Sequence, residues 1–95
     1  MTKYIIHTVT RATPNNKNFH GDVVEGYHGK DGVTCGLYHN HGSELITSKP
    51  FYARHDAMVH GYSRVSDAKK NFLWKNPQND EFWVTELVEI IPIEV

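Results

Sequence analysis

Runs of β-branched and aromatic side chains predict three strands in the first half of the chain. These runs span Tyr4 to Thr10, Val23 to His28 and Val33 to His39, and such side chains pack well on a pleated sheet. The second and third runs flank the segment Gly29 to Gly32, which contains an Asp-Gly pair. Because Asp-Gly readily takes the positive φ angles of a tight reversal, this spacing predicts a β-hairpin.

The remaining strand signals lie in the second half of the chain. Residues 81–95 are apolar at both alternating sets of positions, which is typical of a central strand buried on both faces. Pro92 has no N–H to donate, so it should mark where this strand stops pairing or becomes an edge. Leu45 to Thr47 and Phe51 to Ala53 are expected to extend the sheet. Ala57 to Tyr62 fits either a short helix closed by its glycine or a strand, and we favour the strand.

The clearest helical signal covers about residues 66–76. Ser66 suits the N-cap position, and Pro77 ends the helix. Its apolar stripe is formed by Val65, Ala68 and Phe72. Trp74 lies off this stripe, about 200° around the axis from Phe72 at roughly 100° per residue. The elements together predict an α+β fold, with one mainly antiparallel sheet of four to six strands and a single main helix packed on it.

Length and composition limit the kind of protein this can be. The chain has 95 residues, of which 39% are hydrophobic and 12% aromatic, enough for one core, so residues 1–95 are expected to form a single domain. Cys35 is the one cysteine, and we see no secretory leader or long apolar run. We therefore expect a cytoplasmic protein that makes no membrane contact. Cys35 shares a strand face with Val33 and Leu37, which predicts a buried, unreactive thiol.

The seven histidines raise the question of a metal site. His39 and His41 are two residues apart, so both imidazoles would face the same way on an extended segment. A third ligand would have to come from Cys35, Glu44, His55, Asp56 or His60. The chain has no HExxH and no CxxC motif, so we interpret the pair as solvated turn histidines. We therefore predict no metal, no cofactor, no catalytic residue and no enzymatic activity, and a metal-dependent enzyme is the third hypothesis.

Charge is spread unevenly along the chain. The net charge is −1, with residues 1–48 neutral, residues 49–75 at +4 and residues 76–95 at −5. Basic groups interleaved with aromatic ones are typical of a nucleic-acid surface, whereas two neighbouring segments of opposite charge would partly neutralise each other. The candidate binding residues in the basic segment are Arg54, Tyr62, Arg64, Lys70 and Trp74. Lys70 precedes Trp74 by four positions, so the two share a helix face that could form a binding surface.

Three segments of the chain carry a resemblance to known proteins: MTKYIIHTVTRAT, GYSRVSDAKKN and FWVTELVEI. Together they resemble small uncharacterised accessory proteins encoded by phages and prophages of low-GC bacteria. The resemblance implies a role exerted by binding, with an inhibitor of a defence system (anti-CRISPR or anti-restriction) as one form of it. The leading hypothesis is therefore a non-enzymatic module that binds a host or phage protein. The alternative is a small nucleic-acid-binding protein using residues 49–75, and a homo-oligomer is left open.

Overall fold

The structure, a computed structural model, describes residues 1–30, 34–40, 49–74 and 79–95, with the backbone alone for 34–35, 49–52 and 73–74. In chain order the elements are β1 (Thr2–Ala12), β2 (Val23–His28), β3 (Thr34–His39), α1 (Lys49–His60), α2 (Val65–Trp74) and β4 (Trp83–Glu94). The four strands form one antiparallel sheet in the order β3-β2-β1-β4. Among the described residues, no helix is both long and apolar enough to cross a membrane.

The sheet lies between the two helices, because consecutive isoleucines of the central strand β1 point to opposite faces. Ile5 belongs to a buried cluster that includes Ala53 and Ala57 of α1. Ile6 belongs to a second buried cluster that includes Ala68 of α2. The small alanine side chains let each helix approach the sheet closely. We call the two sides of the sheet the α1 face and the α2 face.

The predicted α+β class is confirmed in its coarse form. The strands predicted in the first half of the chain correspond to β1, β2 and β3, and the clearest helical signal corresponds to α2. A sheet of four antiparallel strands is within the predicted range. Two helices pack on it, however, where the sequence analysis expects one main helix. The segment Leu45 to Thr47, expected to extend the sheet, lies outside the described residues.

Helix α1 occupies the two segments, around Phe51–Ala53 and Ala57–Tyr62, for which the sequence analysis favours strands. That prediction is wrong because both segments belong to one helix that Pro50 helps to begin. Pro50 falls in the first turn of α1, where its missing N–H costs nothing. The core-facing alanines of α1 are four positions apart, a helical spacing. The helix ends before Gly61, whose N–H donates to a carbonyl one turn back at 3.3 Å.

β4 is an edge strand, not the central strand that its two-sided apolar pattern predicts. The N–H and carbonyl of Tyr4 bond to Tyr62 at 2.7–2.8 Å, so both groups point away from β4. Pro92 is opposite Tyr4, so its backbone nitrogen and carbonyl point to the open edge of the sheet, away from β1. Near the other end of the strand, the N–H of Thr85 donates to the side chain of Asn79 at 3.0 Å. Asn79 and Pro92 thus limit pairing along this edge.

Candidate binding surface

Two strand ends and one connection bring three aromatic side chains into contact. Tyr38 lies near the end of β3 and Trp83 at the start of β4, and the strand register places both on the α2 face. Phe19, in the connection between β1 and β2, meets Tyr38 edge-on at a centroid distance of 6.5 Å and Trp83 at 5.7 Å. Together with Phe82, the neighbour of Trp83, these residues form what we call the aromatic patch.

Side-chain hydrogen bonds hold the two turns that carry the aromatic patch. Asn16 is buried, and its Nδ2 donates to the Phe82 carbonyl while its Oδ1 accepts the Phe19 N–H, both at 3.2 Å. Asp80 Oδ1 accepts the backbone N–H groups of Phe82 and Trp83, both at 2.8 Å, an arrangement that fixes a turn locally. The rings are therefore held in place before any partner binds, which lowers the entropic cost of binding.

The aromatic patch is exposed although its rings are held in place. Phe19, Tyr38 and Phe82 leave 43%, 51% and 45% of their surface accessible. The Tyr38 hydroxyl donates to the buried Asp22 carboxylate, and this hydrogen bond raises the pKa of Tyr38 above its usual value. Aromatic side chains that are rigid and accessible are the residues that most often anchor protein interfaces.

An open groove of about 590 Å³ adjoins the aromatic patch. It is lined by residues 15–19 together with Asp80, Phe82 and Trp83. The charged groups in this lining are Lys17 and Asp80, and the exposed Glu81 follows Asp80 in the chain. The described lining therefore holds one carboxylate and one ammonium group, so its own charges balance.

A buried polar network joins three strands on the α1 face. Glu25, only 1% exposed, accepts the Tyr27 hydroxyl at 2.6 Å and lies 2.8 Å from Nε2 of His7 and 3.3 Å from Nε2 of His39. Burial alone would raise the pKa of Glu25, but the hydrogen bonds from Tyr27 and His39 and the proximity of His7 outweigh it and lower that pKa. We call this set the Glu25 network. Because the Glu25 carboxylate is buried, a substrate cannot reach it.

The structure places the described binding residues predicted from the sequence in different parts of the fold. Tyr62 is 5% exposed and belongs to the cluster beneath α2. Arg54 is exposed on α1, and Lys70 is exposed on α2, so the two cations lie on opposite sides of the sheet. Arg64 is exposed just before α2. Trp74 is the last residue of α2, and its side chain lies outside the described part.

The residues of the metal and charge hypotheses fall only in part within the described chain. Within residues 1–30, 34–40, 49–74 and 79–95, no three His, Cys, Asp or Glu side chains are placed to hold a metal ion. His39 belongs to the Glu25 network, and His41 lies outside the described residues. The described cations of the basic segment make no ion pair with a described carboxylate, so mutual neutralisation is not seen there. Cys35 pairs with Tyr27 in the strand register, but its side chain is outside the described part.

The sequence analysis misses the aromatic patch because it assigns Phe82 and Trp83 to the core of a central strand. One signal could have pointed to it. Side chains of consecutive residues at the start of a strand point in different directions, so one of two adjacent large aromatics at a strand end is readily left exposed. The asparagine-rich connection between β1 and β2 forms the turn beside Phe82. Its Asn16 bonds to Phe82 across 66 residues of sequence, so no local pattern reveals this contact.

Comparison with protein-family models, with curated proteins and with solved structures found no match. Function is therefore inferred from the geometry.

Proposed function

We propose that this protein is a non-enzymatic binding module that docks onto a protein partner through the aromatic patch. The observation that supports this most directly is the exposure of aromatic rings at two turns that side-chain hydrogen bonds hold. Such rings contribute large apolar contact area at little entropic cost. The resemblance to phage accessory proteins adds the proposal that the partner is a host or phage protein, with inhibition of a defence system as the form of action.

A protein partner is favoured over a nucleic acid by the charges around the patch. Nucleic-acid binding needs cations near the stacking rings, but the described lining of the groove beside the patch holds one cation, Lys17, and one carboxylate, Asp80, and so has no excess of positive charge. The cations of the basic segment are divided, since Arg54 and Lys70 lie on helices at opposite faces of the sheet. The α1 cation Arg54 therefore lies on the face opposite Tyr38 and Trp83 of the aromatic patch.

Binding is favoured over catalysis by where the ionisable groups lie. The Glu25 network is the densest cluster of titratable side chains in the described residues, and its carboxylate is enclosed within the sheet. The accessible site carries mainly aromatic rings and asparagine amides, and of its two ionisable groups, Lys17 and Asp80, the carboxylate already accepts two backbone N–H groups. Groups of this kind recognise a surface and do not supply a nucleophile or a general base.

The proposal is tested by capturing partners from a bacterial lysate with the immobilised protein and with two single variants. Phe82→Ser removes one exposed ring of the patch, and Met58→Ser is the matched control because Met58 is 61% exposed on α1. We expect Phe82→Ser to weaken capture of a specific protein by about tenfold or more, as for an interface anchor, and Met58→Ser to leave it unchanged. Equal capture by both variants, or retention on heparin that collapses with salt, would contradict the proposal.

A further inference from the structure

We infer that the outer edge of β4 receives an extended, basic segment of the protein partner as an added strand of the sheet. This inference rests on the proposed function, because β4 begins at Trp83 in the aromatic patch, and it names the segment that the partner contributes. Strand addition takes its affinity from backbone hydrogen bonds and its specificity from alternate side chains.

The outer edge of β4 presents backbone groups that no strand of the described sheet pairs with. The N–H and carbonyl of Tyr4 point away from β4, and alternate residues of a strand share this direction, so those of Ile6 and Thr8 do the same. Ile6 is opposite Ile90, and Thr8 is opposite Leu87. The backbone groups of Leu87 and Ile90 therefore face the open edge, where each N–H can donate to an added strand.

Two features set the length of this open stretch. At one end, the N–H of Thr85 is already taken by the side chain of Asn79 at 3.0 Å. At the other end, Pro92 has no N–H to donate. Residues 86–91 lie between them and span ~20 Å at the usual rise of a strand, the length of a typical strand in a sheet. The open stretch is therefore long enough for one short segment of a partner.

Two carboxylates of the open stretch lie on the same face of the sheet. Glu86 is opposite Val9 and Glu89 is opposite His7, and these two β1 residues are on the α1 face with Ile5. The irregularity between the two pairs keeps both carboxylates on that face although they are three positions apart. One alternating set of side chains on an added strand would therefore meet both carboxylates.

The charges of this edge favour a basic segment over a second copy of the chain. Residues 79–95 contain five carboxylates and no lysine or arginine. Glu86 is exposed and makes no ion pair with a described cation. Lys3 and Arg11 of β1 are opposite β4 residues outside the stretch 86–91. Two copies joined along β4 would bring like charges together, whereas lysines of a partner strand would pair with these carboxylates.

Amide hydrogen exchange followed by NMR tests the open edge directly. In the free protein, the amides of Leu87 and Ile90 should exchange faster than that of Ile91, which is opposite Ile5 and faces β1. A saturating blocked peptide of about eight residues, alternating lysine and valine, should slow both exchanges by about tenfold or more. Slow exchange of both amides in the free protein, or exchange that the peptide leaves unchanged up to its solubility limit, would overturn the inference.

N-methylated peptides distinguish strand addition from loose electrostatic contact. Alternate residues of an added strand direct their N–H groups to the same side, so methylating the backbone nitrogens of one residue type, either the valines or the lysines, should abolish binding while methylating the other should not. Loss of binding with both peptides, or with neither, would contradict an added strand. A peptide of alternating glutamate and valine should bind more weakly than the lysine peptide, and equal binding would contradict the basic character of the segment.

Two variants with the same change in net charge test where the charge acts. Glu86→Lys should weaken binding of the lysine peptide by about threefold or more and strengthen that of the glutamate peptide, because it reverses a cross-strand pair. Glu81→Lys alters an exposed carboxylate in the turn before β4 and is the control. At about 0.15 M salt it should change either affinity little. Equal effects of the two variants would show that only net charge matters and would overturn the inference.

Capture of the partner from a lysate separates this inference from the proposed function. If Glu86→Lys captures the partner as well as the parent protein does while Phe82→Ser loses it, this inference fails and the proposed function survives. If Phe82→Ser has no effect on capture, the proposed function itself fails. Loss of capture with both variants, together with normal capture by Glu81→Lys, is the result that we expect.

Discussion

Replacing Glu25 with glutamine tests whether the buried carboxylate is held in its ionised form. The Glu25 carboxylate is 1% exposed and is bonded by Tyr27 at 2.6 Å, His7 at 2.8 Å and His39 at 3.3 Å. Glutamine has nearly the same shape but a single acceptor oxygen. If that oxygen keeps the contacts to Tyr27 and His7, the amide nitrogen must face His39, and no negative charge strengthens the remaining bonds.

The magnitude follows from counting these contacts. A hydrogen bond to a charged group contributes about 1.5–3 kcal/mol and a neutral one about 1 kcal/mol. Weakening two bonds and losing the third should therefore lower the free energy of unfolding at pH 7 by about 2–3 kcal/mol. For a chain of this size that corresponds to a fall in Tm of about 10 °C or more.

The pH dependence gives the second part of the test. Because the pKa of Glu25 is lowered below its ordinary value of 4.5, its contribution is fully present above pH 4.5 and is lost as the pH falls through the folded-state pKa. The difference in stability between the parent protein and Glu25→Gln, measured by urea unfolding, should shrink as the pH falls below 4.5.

Glu86→Gln serves as the control for this series, because it removes an exposed carboxylate from the same sheet. Its effect should stay within about 0.5 kcal/mol. If Glu25→Gln is as stable as the parent protein at pH 7, or if the stability difference does not change with pH, then the network does not stabilise an ionised Glu25 and the reasoning is refuted.

Three further substitutions test other parts of the structure. Asp56→Asn should raise the free energy of unfolding at pH 7 by about 1 kcal/mol, because burial raises the pKa of Asp56 and its Oδ2 has no hydrogen-bond partner in the described chain. The parent protein should become less stable relative to Asp56→Asn as the pH rises above 3.8 through the folded-state pKa of Asp56. Urea unfolding that gives the same pH profile for both proteins would contradict this prediction. Gly61→Ala should lower stability by about 1–3 kcal/mol, since a Cβ there would lie 2.7 Å from Lys3 Cβ and 2.9 Å from the Ala57 carbonyl oxygen; an unchanged Tm in calorimetry would show that the contact relaxes freely. Pro92→Thr should add an outward N–H to the edge of β4 and increase self-association seen by light scattering; an unchanged molar mass at high concentration would argue that this edge is protected in another way.

The strands that the sequence predicts correctly are those whose signals are local. β2 and β3 are marked by two β-branched runs and α2 by a helical stripe. The Asp-Gly pair predicted to form the turn and Pro77, predicted to end α2, lie outside the described residues. The sequence does not predict that β1 is a central strand, because His7 and Thr8 are polar residues that are nevertheless buried. Their partners, Glu25 and His28, are 18 and 20 residues away, and such distant partners leave no local pattern.

The candidate site is missed for a related reason. Phe19, Tyr38 and Trp83 come from three separate parts of the chain and meet only when the sheet forms. The apolar run of β4 resembles a central strand because both its faces carry aliphatic residues. The structure leaves several of these exposed, among them Leu87 and Val88. Position in the sheet, which is set by all four strands together, decides which of them are covered.

The most direct test of the central claim is site-specific crosslinking from the aromatic patch in bacterial cells. A photoreactive phenylalanine analogue is placed at position 82, and separately at position 58 on α1, where Met58 is also exposed. The account predicts that irradiation links position 82 to one defined protein and that position 58 gives no such product. Crosslinks from position 58 alone, or crosslinks from position 82 to nucleic acid, would contradict the claim that the aromatic patch binds a protein partner.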